Sequence, residues 1–376
     1  MDTTISRNTI RNAVIVMIVI LLSLYLYSTR VYRSYQEIAS ISNTEGNVAE
    51  YIGLDTGFLK YTQDGVSYLK NIKSQAVEWT ETYSMSNPKA AVRGKYVAIA
   101  DYSGNDVYIF NQNGKVGSIT MPYPIVDVEV ASQGVVAVIL QGEKENYIKM
   151  YTKEGTLISD IKSKTRKNGY PMDISISSDA QKMVVSYFSI EGAGIKNKVS
   201  FYDFSEENKT KNSNLIGEDN QKSNLVGKVE FLDNDTVFAV GDEKTIIYSF
   251  EKEVKQKKTI KAAGEIQSIV IQGDYIGYLY KSSIGKEEYN RYILSLYNKQ
   301  GMKLYSKADI GNYDSLKLNG KEIIAIKGSQ MYIFNETGWR YYAGEFDKEI
   351  ENVISTGKQN EYTVIFSDET QVIQIR

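Results

Sequence analysis

The chain has 376 residues, and its 44 lysines and arginines against 46 aspartates and glutamates give a formal net charge of −2. It contains no cysteine and no histidine. These absences exclude a thiolate nucleophile, a Ser-His-Asp triad, a histidine general base and zinc sites built on histidine or cysteine. The mildly acidic balance does not suit nucleic-acid binding, which needs a basic surface. A carboxylate glycosidase or an oxygen-ligated cation site stays open.

The first patterned segment is apolar and runs from Ala13 to Tyr27, with arginines on both sides. As a helix, residues 12–29 would extend about 27 Å, close to the roughly 30 Å of a bilayer core. No small-residue cleavage site follows, which disfavours a cleaved signal peptide. The pattern predicts a transmembrane signal-anchor at 12–29 and a short cytoplasmic tail at 1–11, with the body outside. The alternatives are a cleaved signal peptide and a buried helix of a soluble protein.

Residues 30–47 are polar with a few apolar positions, which predicts a helical continuation followed by a stalk. From residue 48 to residue 376 the pattern changes to short segments that alternate apolar and polar residues, separated by Gly, Asn and Asp turns. β-Branched and aromatic residues dominate these segments, as is typical of strands. The region 48–376 is therefore predicted to be a single all-β domain.

A recurring phrase indicates that these strands form repeats. YIFNQNG begins at Tyr108 and YIFNETG at Tyr332, and related phrases end at Gly155 and Gly301. A hairpin explains each of them, because glycine accepts the positive φ needed before the fourth strand begins. Units of about 35 to 50 residues with four short strands are the blades of a β-propeller.

Eight such repeats can be placed, although the last contains only three strands. The sequence therefore predicts seven or eight blades, with eight favoured and residues 49–54 supplying the closing outer strand. The alternative fold is an all-β solenoid or a tandem pair of sandwiches. The repeats lie at 48–84, 87–122, 125–163, 171–217, 227–262, 265–308, 312–347 and 349–376.

Candidate sites are few, and no catalytic, cofactor-binding or metal-binding residue is predicted. DYSGND (101–106) and LDNDT (232–236) resemble calcium loops but lack the full spacing with a terminal glutamate, so turns explain them better. Loops on a rigid scaffold often carry recognition. The candidate partner-surface residues belong to the segment NGYPMD (168–173) and to a neighbouring aromatic position: Tyr170, Pro171, Asp173 and Tyr123.

Several stretches after the apolar segment resemble a known group of proteins: ETYSMSNPKAAVRGKYVAIADYSGNDVYIFNQNGK, PYPIVDVEVASQGVVAVIL and NGYPMDISISSDAQKMVVSY. They resemble an uncharacterised family of single-span, membrane-anchored propeller proteins of anaerobic Gram-positive bacteria. ISSDAQKMVVS is also similar to the Ser-Pro-Asp-Gly-Lys turn of WD40-like and TolB-like propellers, and departs from it at Ser178, Ala180 and Gln181. A looser similarity extends to quinoprotein-type and BamB-type envelope propellers. The resemblance implies fold and anchoring, and it carries over no catalytic residue.

Together these features predict a membrane-anchored, extracytoplasmic propeller that acts as a non-catalytic binding or scaffolding module of the cell envelope. Its expected partners are the membrane and an envelope protein, and no cofactor is predicted. The alternative is a glycan-binding or carboxylate-dependent glycan-processing propeller at the cell surface. Two carboxylates facing a deep central pocket would favour hydrolysis, whereas an aromatic, loop-rimmed face would favour docking.

Overall fold

The computed structural model describes residues 7–28, 30–43, 49–71, 76–164, 168–192, 194–206, 208, 214–282, 291–308 and 310–376. These residues form one helix and eight antiparallel sheets of four strands each. Each sheet is one blade of a β-propeller. The prediction of an all-β propeller with eight blades is therefore confirmed.

The elements are given in chain order. The helix is α1 (Arg7–Ser28), and the first strand is β1 (Tyr35–Ser42). Blade 1 contains β2 (Glu50–Leu54), β3 (Gly57–Tyr61), β4 (Gly65–Asn71) and β5 (Ala76–Thr82). Blade 2 contains β6 (Pro88–Arg93), β7 (Tyr96–Asp101), β8 (Asp106–Asn111) and β9 (Gly114–Thr120). Blade 3 contains β10 (Ile125–Val130), β11 (Val136–Gln141), β12 (Glu145–Tyr151) and β13 (Leu157–Lys164).

The remaining blades follow the same plan. Blade 4 contains β14 (Tyr170–Ile176), β15 (Lys182–Glu191), β16 (Gly194–Asp203) and β17 (Leu215–Gln221). Blade 5 contains β18 (Val226–Phe231), β19 (Thr236–Gly241), β20 (Lys244–Phe250) and β21 (Val254–Lys261). Blade 6 contains β22 (Glu265–Gln272), β23 (Tyr275–Ser282), β24 (Arg291–Asn298) and β25 (Lys303–Ala308). Blade 7 contains β26 (Ser315–Asn319), β27 (Glu322–Lys327), β28 (Gln330–Phe334) and β29 (Arg340–Glu345). Blade 8 contains β30 (Asn352–Ser355), β31 (Glu361–Ile365) and β32 (Glu369–Ile375), with β1 as its fourth strand.

The core lies between neighbouring blades and follows from the strand patterns. The third strand of blade 3, β12, alternates buried and half-buried residues, so that one face packs on the next sheet. The second strand, β11, is buried over nearly its whole length because neighbouring blades cover both of its faces. Ile109 of blade 2 packs with Val128 and Val138 of blade 3 in one apolar cluster. Every blade is thus supported by the next.

The ring closes through a strand that the sequence analysis misassigned. Residues 30–47 were expected to form a stalk, but β1 pairs antiparallel with β32, from Tyr35 opposite Ile375 to Ser42 opposite Glu369. Residues 49–54 were expected to close the ring, but they hold β2, the innermost strand of blade 1. The physical reason is that β32 would otherwise present an unpaired edge, and β1 is the segment that covers it.

The repeated YIF phrases occupy the predicted place. They lie at the ends of β8 and β28, the third strands of blades 2 and 7. The turn glycines have positive φ: 120° at Gly114, 87° at Gly155, 70° at Gly301 and 75° at Gly338. The prediction that the duplicated phrase forms a hairpin turn is confirmed, because only a residue without a Cβ adopts these φ angles at low cost.

The predicted membrane span at residues 12–29 is not supported as a span. The helix α1 is present, and its side chains from Val14 to Leu22 are between 44% and 56% exposed. In the described part of the chain, however, no helix combines the length and the apolarity needed to cross a membrane. Arg11 lies in the second turn of α1, and Ser23 interrupts the apolar run at its other end. A bilayer core requires about 20 consecutive, predominantly apolar residues.

Candidate functional site

The inserted segment at 189–198 is a strand extension rather than an irregular loop. It lengthens β15 and β16 to ten residues each, the longest strands among the described residues. At its tip Ile190 and Ile195 face each other across the ladder and are 75% and 59% exposed. These are unusually exposed apolar side chains, since a folded chain ordinarily buries most of its isoleucine.

Two aromatic residues extend this apolar surface toward the body of the ring. Tyr170 is opposite Phe188 in the ladder, their rings stack with centroids 5.5 Å apart, and Tyr170 is 45% exposed. Residues 188 and 190 of β15 share one face because side chains alternate along a strand. Tyr170, Phe188, Ile190 and Ile195 therefore form one continuous surface, which we call the blade-4 ridge.

The other sequence-selected residues are distributed differently. Tyr123 is half-buried and stacks on Tyr147, with ring centroids 4.8 Å apart and planes 4° apart. Pro171 is buried, and the pairing register shifts between it and Asp173. Asp173 contacts Lys228 and the backbone N–H of Val229 on the innermost strand of blade 5. The structure thus places only Tyr170 on the blade-4 ridge.

Asp173 belongs to a charged network on the innermost strands of blades 3, 4 and 5. The Lys228 ammonium of β18 lies 3.3 Å from a carboxylate oxygen of Asp173, 3.6 Å from Glu230 and 3.9 Å from Glu129. The backbone N–H of Val229 donates to the second oxygen of Asp173 at 2.6 Å. One ammonium therefore holds carboxylates from three blades, and we call this set the axial network.

Arg93 connects the axial network to blade 2. This last residue of β6 pairs with Glu230 of blade 5 at 2.5 Å and donates to the carbonyl of Phe231 at 2.9 Å. The Arg93 side chain is 14% exposed and that of Glu230 is 18% exposed. Because the contact joins blades 2 and 5 directly, blades 2 to 5 meet at the axis on one side of the channel.

Burial raises the pKa of two carboxylates of the axial network, Asp173 and Glu129. Loss of hydration raises the pKa of Asp173 to about 7, with the nearby Lys228 opposing the rise. Loss of hydration, reinforced by the charge of Glu230, raises the pKa of Glu129 well above its ordinary value. Burial disfavours the charge of Lys228, but the surrounding carboxylates outweigh it and raise its pKa. Asp173 and Glu129 therefore take up protons at a higher pH than isolated carboxylates do.

The rest of the channel is open. A cavity of about 700 Å³ is lined mainly by the innermost strands of blades 1, 2 and 5 to 8. Its wall is a mixture of aliphatic, glycine and polar residues, and among the described residues its charged members are Asp55, Arg93, Glu230 and Lys317. The Arg93–Glu230 contact forms the boundary between this cavity and the axial network.

Sequence reasoning missed most of the axial network. Only Asp173 was selected, and Arg93, Glu129, Lys228 and Glu230 were not. A signal was present in the segments DVEV (127–130) and GKVEF (227–231), where charged residues occupy every second position of an innermost strand. Charges at that spacing on a buried strand indicate partners, because an unpaired buried charge is costly.

The two calcium-like segments form turns, as predicted. The Asp101 carboxylate accepts from the backbone N–H groups of Ser86 and Asn87 at 3.0 and 2.8 Å. The Asp233 carboxylate accepts from the N–H groups of Asp235 and Thr236 at 2.9 and 2.7 Å. Within the described ranges no group of three or more acidic side chains is arranged to hold a metal ion.

Comparison with known proteins agrees with this architecture. The sequence profile of the Family of unknown function (DUF5711) matches residues 28–375. The chain belongs to that family. The family description assigns no activity, so membrane anchoring and bacterial origin stay predictions. No curated protein sequence matches this chain.

Solved structures with the same fold are distant in sequence. BamB from Moraxella catarrhalis superposes with a TM-score of 0.55 at 12% identity, covering 91% of this chain and 98% of that one. Sqt1 from Saccharomyces cerevisiae superposes with a TM-score of 0.57 at 10% identity, covering 93% of this chain and 100% of that one. At these identities the likeness concerns the propeller fold alone.

Proposed function

We propose that the protein is a non-catalytic binding or scaffolding module that docks a protein partner on the blade-4 ridge. The observation that carries this proposal is the exposure of Ile190 and Ile195, at 75% and 59%, on the two longest strands among the described residues. Apolar side chains exposed together in this way are characteristic of interaction sites. The ring beneath the hairpin provides a rigid support.

The composition of the ridge suits a protein partner. Tyr170 and Phe188 supply stacked aromatic area beside the two isoleucines, and aromatic residues are enriched at the centres of protein interfaces. The hairpin projects its paired isoleucines beyond the stack, so that a groove in the partner could enclose them. The ridge thus combines an apolar anchor with an aromatic base.

The glycan-processing alternative has less support from the geometry. Glycoside hydrolysis needs two carboxylates that both face the substrate. In the described wall of the central cavity, the buried carboxylate of Glu230 is held by Arg93, and Asp55 lies exposed in the turn between β2 and β3. Asp173 and Glu129 belong to the axial network, where Lys228 engages them. Docking is therefore the function that the geometry supports best.

We also propose that α1 attaches the propeller to the cell membrane and that the propeller lies on the extracytoplasmic side. The support is the apolar surface of α1, where consecutive side chains from Val14 to Leu22 are exposed all around the helix. A helix that is apolar on every side requires an apolar environment. Carbonate extraction of membranes and protease treatment of intact cells test this location. Release by carbonate, or full protection of the propeller from protease, would overturn it.

Crosslinking in cells followed by mass spectrometry tests the docking function. The double substitution Ile190→Ser/Ile195→Ser removes the apolar tip while keeping the hairpin. The matched control is Leu157→Ser/Ile158→Ser on the outer strand of blade 3, where the side chains are 49% and 44% exposed. We expect a defined protein partner to crosslink to the wild type and the control and to be lost from the Ile190/Ile195 variant. Equal recovery with all three proteins, or no protein partner of the wild type, would contradict the proposal.

A further inference from the structure

The central cavity has the dimensions of a small-molecule site. Its volume of about 700 Å³ lies within the range of roughly 300 to 1,000 Å³ that is usual for ligand pockets. Aliphatic side chains line part of its wall, beside glycine, serine, asparagine and glutamine residues and four charged residues. The aliphatic residues of the wall are Ile52, Val92, Leu232, Val270, Ile271, Leu318, Val353 and Ile354.

Four of these aliphatic side chains remain accessible although they lie on innermost strands. Val92 is 41% exposed, and Ile52, Val270 and Ile354 are half-buried. On the filled side of the channel, by contrast, Val128 and Val229 are 3% and 0% exposed. The innermost strands of blades 3 and 5 thus bury these valines, while Val92 of blade 2 stays exposed beside the cavity. The exposed apolar area therefore faces the cavity.

Lys317 places an uncompensated positive charge on this wall. It lies in β26 between Leu316 and Leu318, which are 6% and 7% exposed. No carboxylate among the described residues forms an ion pair with it, and burial lowers its pKa. The other internal charges of the wall, Arg93 and Glu230, neutralise each other at 2.5 Å. The charge that remains inside the cavity is therefore that of Lys317.

Keeping a partly buried ammonium without an ion-pair partner is unfavourable unless something pairs with it. An anionic group bound in the cavity would supply that partner, and an apolar body on the same molecule would cover the aliphatic wall. Asp55 is exposed in the turn between β2 and β3 and is therefore a poor internal partner. The two requirements together specify an amphipathic ligand with one anionic head.

We propose that the central cavity binds an organic anion whose carboxylate or phosphate head pairs with Lys317 and whose apolar body packs on the aliphatic wall. This site lies on the axis and is separate from the blade-4 ridge. Either of the two proposals, this site or the docking function, can be correct without the other. The head group comes from one of two sources, a fatty carboxylate or an alkyl phosphate, and competition distinguishes them.

Fluorescence titration of the full chain tests the site with two probes of similar shape. Anilinonaphthalene sulfonate is anionic, and phenylnaphthylamine is its neutral counterpart. We expect Lys317→Met to weaken binding of the anionic probe at least about tenfold while leaving the neutral probe nearly unchanged, and Lys317→Arg to retain both. The control Lys348→Met removes a lysine that lies outside the cavity and is 40% exposed. It should leave the binding of both probes unchanged.

A second variant shows whether the probes enter the cavity at all. Val92→Trp fills the space beside the wall, so it should abolish the cavity component of binding for both probes. Decanoate and decyl phosphate should displace the anionic probe from the wild type, the preferred one identifying the head group, while inorganic phosphate alone should not. A thermal melt should show Lys317→Met at least as stable as the wild type, because the substitution removes a desolvated charge. Unchanged anionic-probe binding in Lys317→Met, or in Val92→Trp, would overturn the site.

Discussion

Replacing Lys228 with methionine is the most direct test of how the ring is held at its axis. Methionine keeps an unbranched side chain but removes the ammonium that Glu129, Asp173 and Glu230 share at 3.9, 3.3 and 3.6 Å. Three carboxylates from three blades would then face one another with Arg93 as the nearest cation, on Glu230 only. We expect the free energy of unfolding to fall.

The expected size of the effect follows from burial. Removing one member of a fully buried ion pair costs about 3 to 5 kcal/mol. The Lys228 side chain is 35% exposed, so water screens part of its interaction, whereas its partners are only 13% to 18% exposed. We therefore expect a loss of about 2 to 4 kcal/mol near neutral pH. The deficit should shrink as the pH falls, because the carboxylates take up protons and no longer need the cation.

Urea unfolding, followed by circular dichroism at several pH values, measures this loss. The control is Lys348→Met. Lys348 also pairs with two carboxylates, at 2.7 Å to Asp368 and 2.9 Å to Glu369, but Asp368 is 58% exposed. Exposed pairs contribute about 0 to 1 kcal/mol. If both variants lose the same stability, or if the Lys228 variant loses less than about 1 kcal/mol, the axial network does not support the ring as argued.

Three further predictions concern other parts of the molecule. The pKa of Asp173 is raised from an ordinary 3.8 to about 7 in the folded protein. Between these two pH values the folded state therefore holds a proton that the unfolded state has lost. The contribution of Asp173 to the free energy of unfolding is present at low pH and disappears between about pH 4 and pH 7. The wild type should therefore lose up to about 4 kcal/mol relative to Asp173→Asn across that interval, measured by urea unfolding; parallel pH profiles would contradict this. Ala180 has a φ of +55°, so Ala180→Gly should raise stability by about 0.5 to 1 kcal/mol while Ala137→Gly in β11 lowers it, and a loss in both would be inconsistent with strain at the turn. Deleting residues 1–43 removes β1, so we expect a lower urea midpoint and self-association, which gel filtration detects. Deleting residues 1–29 keeps β1 and should cause neither change. Equal behaviour of the two deletion variants would argue against closure of the ring by β1.

Much of the propeller could be predicted because its rules are local. Strand alternation and positive-φ glycines depend on neighbouring residues, so the turn at Gly338 can be found from Asn335 and the strand before it. The same holds for the turn after Ser177, where Ala180 occupies the left-handed position usually taken by glycine. Lys182 is the first residue of β15 after this turn. It donates to the carbonyls of Asn234 and Phe250 in the next blade at 3.2 and 2.7 Å.

Ring closure and the axial network could not be predicted because they depend on distant segments. β1 pairs through backbone groups with a strand at the other end of the chain, and its sequence YQEIASIS gives only a weak alternation. The axial network arises where four blades converge, so Arg93 and Glu230, which are 137 positions apart, have no local pattern in common. The blade-4 ridge was missed in part for the same reason, since a polar-looking insertion became a paired hairpin once Ile190 and Ile195 faced each other.

Closure by β1 also determines how the ring would respond to a pulling force. Tyr32 bridges to Tyr342 of blade 7 and β1 begins only three residues later, so the chain leaving α1 is fixed to two blades at once. If α1 is held and the propeller is pulled, the load reaches the Tyr32 bridge to blade 7 first and then the ladder between β1 and β32. The strand that completes the ring therefore also serves as its mechanical clamp, and its rupture would open blade 8 before any other blade.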